Sequence, residues 1–151
     1  MRDAAPQVIH LADYTPPNWL IELVELAFTL DPKATRVRSR VHFIRNPAVP
    51  RGNLHLDGEK LTLISAASDG DALSENEDQQ TETARTGPAD RLPEEAFIWE
   101  SEVEIAPAEN TALEGLYMSN GMYCTQCEAE GFRKITYYPD RPDVMANFTV
   151  R

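Results

Sequence analysis

An all-β fold is what this sequence predicts, and three observations carry the prediction. Apolar residues recur with a period of two over long segments, Asp-Pro, Asp-Gly and Asn-Gly turn signals separate those segments, and no amphipathic helical pattern precedes residue 110. A period of two is what a strand requires, because its successive side chains point to opposite faces of a sheet.

The first strand is expected from about residue 20 to residue 30, entered after Pro16-Pro17. Leu20, Val24, Leu26, Phe28 and Leu30 occupy its even positions, with the alternation cleanest from Val24 onward. Asp31-Pro32-Lys33-Ala34 supplies turn chemistry. A second strand then runs over 35–45, where Thr35, Val37, Ser39, Val41 and Phe43 alternate with Arg36, Arg38, Arg40 and His42. The pair reads as a hairpin with one basic face.

Leu54 to Asp57 and Lys60 to Ala66 are two further short strands around Asp57-Gly58-Glu59, an Asp-Gly turn that favours tight reversal. Ser68 to Glu95 follows, acidic and with almost no large apolar side chain between Leu73 and Leu92. Such a segment buries too little surface to offset the entropy of ordering, so it is read as a long mobile loop, although its length leaves room for a hidden strand.

Phe97, Trp99, Ser101, Val103 and Ile105 alternate with Ile98, Glu100, Glu102 and Glu104, a half-buried strand that Pro107 stops. Leu116-Tyr117-Met118 and Met122 to Thr125 make a hairpin around Ser119-Asn120-Gly121. Glu130 to Tyr138 is the one place for a short helix, about two turns before Pro139. A last strand opens at Val144 and the chain stops inside it at Arg151, so continuation beyond that residue is expected.

The chain has 151 residues, 42% of them hydrophobic, enough for one domain over 1–151 with a single core and too few for a second. A net charge of −11 opposes nucleic acid and anionic membrane as partners, since both need a basic footprint. The charge is also uneven. Lys33 to Lys60 holds seven basic and two acidic residues, while Asp69 to Glu95 holds nine acidic and two basic ones, giving either two apposed faces or two separate solvated ones. No uncharged apolar run reaches the roughly 18–20 residues of a membrane helix, and Met1 to Pro17 lacks the apolar centre of a signal peptide. A cytoplasmic protein is expected, and Cys124 and Cys127 are too few for a secreted disulfide framework.

Cys124-Thr125-Gln126-Cys127 is half of a zinc site or a redox pair, but no second C-x-x-C and no paired histidines accompany it; His10, His42 and His55 stand singly. The two cysteines are therefore read as reduced and structural, with no metal bound by this chain. There is no His-Glu-x-x-His, no Gly-rich phosphate loop and no Gly-x-Ser-x-Gly. Gln126, Glu128 and Glu130 alternate around Cys127. On an extended segment they share one side and can converge on a cationic ligand; otherwise they are solvent-facing acids beside a turn.

Asn110-Thr-Ala-Leu-Glu-Gly-Leu-Tyr117, Gly121-Met-Tyr-Cys-Thr-Gln-Cys-Glu-Ala-Glu-Gly-Phe-Arg133 and Ile135-Thr-Tyr-Tyr-Pro-Asp-Arg-Pro-Asp-Val144 resemble, nearly residue for residue, the N-terminal domain of the bacterial aminopeptidase N family. Leu11 to Pro17 and Leu30 to Thr35 resemble the opening of the same domain, while residues of about 68–96 follow no pattern of the family. The resemblance implies a β-sandwich-like, saddle-shaped lid on a zinc-bearing catalytic domain of the same parent chain, and that catalytic domain is absent here. It further implies that Glu128 binds the free α-amine of a peptide substrate and that Gln126 lines the pocket for the substrate's first residue. No catalytic and no metal-binding residue is carried over. Glu130 is read as structural.

An N-terminal ammonium has a pKa of roughly 7.7–8.0, and a carboxylate in a water-poor cleft recognises it through a charge-assisted hydrogen bond. Two functions compete for this chain. One is the substrate-recognition domain of a zinc aminopeptidase, inactive in isolation, with zinc in the parent enzyme; the other is a non-enzymatic all-β protein-interaction module. A His-Glu-x-x-His downstream in the gene discriminates them.

Overall fold

The computed structural model describes residues 8–72, 79–80 and 84–151, the pair 79–80 through its backbone only. The part of the acidic segment at 73–78 and 81–83 lies outside the described residues. Eleven strands are described: β1 (Trp19–Thr29), β2 (Thr35–Arg45), β3 (Leu54–Asp57), β4 (Thr62–Ser68), β5 (Asp71–Ala72), β6 (Gln79–Gln80), β7 (Ala84–Gly87), β8 (Ala96–Ile105), β9 (Gly115–Ser119), β10 (Met122–Gln126) and β11 (Asn147–Val150). Among the described residues the helical segments are short 3-10 turns, at Leu11–Asp13, Ala89–Arg91, Pro107–Glu109 and Phe132–Lys134. The expected helix over 130–138 is thus one turn, shorter than its sequence suggested; Tyr138 is already extended and bridges Asp57.

The main sheet has six strands in the order β11-β1-β2-β8-β4-β5, a three-stranded sheet has the order β3-β7-β6, and β9 pairs with β10. Every described pairing is antiparallel except β1 with β11. One core joins the layers: Val24, Leu26, Val37, Val41, Phe43, Phe97, Trp99 and Val103 of the main sheet meet Leu54 and Leu56 of β3, Leu116 of β9 and Ile135, Tyr137 and Tyr138 of the following segment. This is the sandwich-like all-β architecture the sequence and its resemblance predicted.

The Asp31 turn joins β1 and β2 as expected. Its carboxylate oxygen Oδ1 accepts from the Lys33 and Ala34 backbone N–H groups at 2.8 and 3.0 Å, and the fully buried Thr35 hydroxyl donates to the Asp31 carbonyl at 2.6 Å. Along β1, however, the register slips between Ile21 and Leu23, leaving Glu22 as a bulge. An extra residue reverses which parity faces the core. Trp19 and Ile21 are therefore buried before the bulge and Val24 and Leu26 after it, whereas Leu20, expected on the apolar face, is only half-buried.

The basic face of the β1–β2 hairpin is neutralised by its neighbour β8. Arg36 meets Glu104 and Glu102 at 2.9 and 3.2 Å, Arg38 meets Glu102 at 3.2 Å, and Arg40 lies between Glu100 at 3.3 Å and Glu25 at 3.5 Å. Directly opposed strands put these charges within reach, and each partly exposed pair contributes about 0.2–1 kcal/mol. Among the described residues, the arginine stripe is paired with glutamates of β8 and β1.

Two other expectations change. β3 and β4 do not form a hairpin around Asp57-Gly58-Glu59: β3 pairs with β7, and β4 with β8. The Asp-Gly segment instead crosses between sheets, and a Cβ on Gly58 would sit 2.3 Å from the Tyr137 ring. In the segment expected to be a loop, β7 pairs with β3, and its Arg85 is 2% exposed with its guanidinium 5.6 Å over the Tyr137 ring. An arginine can bury its stem and stack its planar head where a periodicity search looks for an aliphatic residue.

Candidate functional site

The hairpin β9–β10 presents the candidate residues. Asn120 and Gly121 close it with φ of +49° and +77°, the left-handed pair that a two-residue turn requires. β10 ends at Gln126, opposite Gly115, and the chain turns at once: the Gly131 N–H donates to the Cys127 carbonyl at 3.0 Å and the Glu128 N–H to Gln126 Oε1 at 3.3 Å. Gly131 sits so close that a Cβ there would lie 2.4 Å from the Gln126 carbonyl oxygen. Residues 127–131 are therefore a turn and not an extended strand. The shared side expected for Gln126, Glu128 and Glu130 from alternation does not arise that way.

Glu128 and Glu130 nevertheless border one recess of about 640 Å³, together with Cys127, Phe132, Tyr138 and Phe148; Gln126 is exposed beside it but does not line it. The floor is aromatic: Phe132 stands edge-on to Tyr138 at 4.9 Å and to Phe148 at 5.9 Å. Burial, with the Asp140 carboxylate adding to it, pushes the Tyr138 hydroxyl up to about 12.

The carboxylates around the turn differ in their partners. Glu130 lies 3.7 Å from the Arg133 guanidinium, Asp140 lies 3.1 Å from it and Asp57 3.9 Å. Lys134 lies between Glu59, at 3.5 Å, and Glu114. Burial alone would lower the Lys134 ammonium, but its hydrogen bond to Glu114 and the Glu59 carboxylate outweigh that and raise it. Among the described residues no cation pairs with the Glu128 carboxylate. An exposed, unpaired carboxylate above an aromatic floor can accept hydrogen bonds from an external ammonium while apolar groups beside it shed water.

Cys127 shares the recess. Burial raises its thiol pKa, with Asp140 and Glu128 adding to the shift. Because the thiolate is the nucleophile, a raised pKa means less of it at neutral pH. Iodoacetamide at about pH 7.5 is therefore expected to alkylate Cys127 more slowly than free cysteine. Peptide mapping by mass spectrometry after timed exposure checks this, and faster labelling than free cysteine would refute it.

Sequence reasoning from the residues missed Phe132, Tyr138 and Phe148 as a floor and Arg133, Asp140 and Asp57 as a network. Their spacing along the chain has no periodicity that marks them; for Phe132, Arg133, Tyr138 and Asp140 the signal that could have found them was their place inside the segments that carry the family resemblance. Among the described residues no group of three or more His, Cys, Asp or Glu side chains is placed to hold a metal ion. The donor set of these residues does not fit a zinc site.

The sequence profile of the Peptidase M1 N-terminal domain matches residues 20–151. Aminopeptidase N of Caulobacter vibrioides is 46% identical over 154 residues, covering 100% of this chain and 17% of that protein. The Escherichia coli aminopeptidase N is 41% identical over 146 residues, covering 97% of the chain and 16% of that protein. Among solved structures, Legionella pneumophila aminopeptidase A in complex with aspartic acid superposes with a TM-score of 0.82 at 30% identity, covering 93% of this chain and 16% of that one. An M1 zinc metallopeptidase from Deinococcus radiodurans shares the fold, with a TM-score of 0.70 at 17% identity, over 88% of this chain and 32% of that one. The chain thus spans 16–17% of the length of the curated relatives it matches. With the profile covering nearly all of its length, this chain belongs to the peptidase M1 N-terminal domain family.

Proposed function

We propose that this chain is the substrate-recognition domain of a zinc-dependent aminopeptidase that removes N-terminal residues from peptides in the cytoplasm. In this reading Glu128 accepts hydrogen bonds from the free α-ammonium of the substrate. Gln126, which holds the Glu128 backbone N–H at 3.3 Å, lies beside the first substrate residue. The observation that carries the proposal is the unpaired Glu128 carboxylate: its neighbours Glu130, Asp140 and Asp57 all meet Arg133, and among the described residues Glu128 alone of the four is left for a ligand.

Zinc, the water it activates and the general base belong to a catalytic domain elsewhere in the parent chain. That domain also supplies the wall that closes the recess over Glu128, which is open on this chain. A carboxylate discriminates a charged terminus from an acetylated one only when water is kept from both.

The test is a comparison of two proteins. The full-length protein is expected to hydrolyse alanine 4-nitroanilide and to lose that activity to a chelator, while residues 1–151 alone hydrolyse nothing. Hydrolysis by residues 1–151, or a full-length sequence without His-Glu-x-x-His, would overturn the proposal.

A further inference from the structure

We propose that Arg133, clamped by Asp140, is a positioning residue that fixes the Glu128 turn relative to the recess, an inference that rests on the recognition role just proposed for Glu128. The turn itself is held by little. Two hydrogen bonds close it, Gly131 N–H to the Cys127 carbonyl at 3.0 Å and Glu128 N–H to Gln126 Oε1 at 3.3 Å, and a third, from the Lys134 N–H to the Gly131 carbonyl at 3.1 Å, joins it to the 3-10 turn that follows. None of the three reaches Asp140 or the end of β3.

Arg133 does. Its backbone N–H and its Nε both donate to Asp140 Oδ2 at 3.1 Å, and its Nη2 donates to the Asp140 carbonyl at 3.1 Å. The same guanidinium reaches back to Glu130 of the turn at 3.7 Å and across to Asp57 at the end of β3 at 3.9 Å. Asp57 completes the brace: its Oδ2 accepts from the Asp140 N–H at 2.9 Å, and its backbone exchanges hydrogen bonds with Tyr138 at 2.8 and 3.1 Å. Asp140 and Tyr138 both line the recess with Glu128, while Arg133 does not. One cation therefore joins the turn, the recess wall and β3 from behind.

The chemistry requires arginine. A planar fork with fixed donors faces three carboxylates and a carbonyl at once, whereas an ammonium on a flexible stem acts as a point charge. The Arg133 side chain is 20% exposed and its partners Asp140 and Asp57 are 14% and 15% exposed, so these two pairs are screened less than the arginine ladder on the outer face of the sheet, where Arg38 is 70% exposed; the reach to Glu130, itself 66% exposed, is the weaker link. Loss of the brace leaves Glu128 present but free to drift, and a misplacement on the order of 1 Å costs up to about a hundredfold in rate.

The experiment uses the full-length protein with alanine 4-nitroanilide and four variants: Glu128→Gln, Arg133→Met, Arg133→Lys and the double Glu128→Gln/Arg133→Met. Arg133→Met is expected to lower kcat/KM by about ten- to a hundredfold, chiefly through KM, with zinc content unchanged. Arg133→Lys is expected to recover part of that loss. In the Glu128→Gln background Arg133→Met is expected to add less than about twofold, because a residue acting only through Glu128 has nothing left to position.

Full additivity in the double variant, or unchanged kcat/KM in Arg133→Met alongside an impaired Glu128→Gln, overturns the positioning role and leaves the recognition role standing. An unimpaired Glu128→Gln overturns the recognition role itself. If Arg133→Met does not yield folded protein, Asp140→Asn, which removes the charge of the clamp and keeps its shape, is judged by the same criteria.

Discussion

Replacing Glu128 with Gln in the full-length protein is expected to lower kcat/KM for an unblocked amino-acid amide by about 30-fold to several thousand-fold. The range follows from the roughly 2–5 kcal/mol lost when one member of a desolvated, hydrogen-bonded charge pair is truncated. Glutamine keeps the length and shape of the side chain and removes only the charge. Glu128 has no cationic partner among the described residues, so its neutralisation leaves no buried cation orphaned within this domain. The Arg133 brace, which uses Asp140, Glu130 and Asp57, stays intact.

The variant is therefore expected to remain folded and to keep its zinc. Discrimination between a free and an N-acetylated substrate is expected to shrink in parallel, since the charged amine loses its advantage over a neutral cap. Steady-state kinetics on alanine 4-nitroanilide and its N-acetyl derivative read both effects, and an unchanged kcat/KM for the free amine would return Glu128 to the status of a surface acid.

The second large effect is on stability. Phe97→Ala is expected to destabilise the domain by about 3–5 kcal/mol, the usual range for deleting a buried aromatic ring. Phe97 is 3% exposed and touches two other rings, Trp19 edge-on at 5.0 Å and Phe43 in a stacked arrangement at 5.2 Å. Such contacts add about 0.5–1.5 kcal/mol each beyond the area they bury.

The site cannot easily collapse to fill the void. Trp19 is pinned by its indole N–H, which donates to the Gly52 carbonyl at 3.1 Å, and Phe43 is held opposite Phe97 by the β2–β8 ladder. The upper part of the range is therefore expected. Urea denaturation of residues 1–151 measures it, with Phe97→Leu as the volume-retaining comparison; a loss below about 1.5 kcal/mol for Phe97→Ala, the level of a tolerated hydrophobic swap, would show that the aromatic cluster does not hold the sheet.

Much of this protein was legible before its structure because it is local. The alternation of Val37, Val41 and Phe43 against Arg36, Arg38 and Arg40, and of Phe97, Trp99 and Val103 against three glutamates, determines two strands and their buried faces. Asp31 and Asn120-Gly121 determine two turns, since their chemistry acts within a few residues. Glu128 itself was found through the resemblance of its segment to the aminopeptidase N family, and not through its spacing.

What only the tertiary structure decided is whatever depends on a partner far along the chain. The bulge at Glu22 exchanges Leu20 for Trp19 and Ile21 in the core, a shift of phase that alternation alone does not place. Asp57-Gly58 carries the signature of a hairpin but crosses between sheets, because Tyr138, Asp140 and Arg133, about 75 to 83 residues away, take up its hydrogen-bonding groups. β7 lay hidden in an acidic segment because its buried residue is an arginine, stacked over the Tyr137 ring about fifty residues away, and not an aliphatic side chain. The recess at Glu128 was beyond sequence reasoning for the same reason: a free carboxylate is defined by which cations are committed elsewhere, and the commitment of Arg133 to both Asp140 and Asp57 exists only once the segment 133–140 is packed against the end of β3.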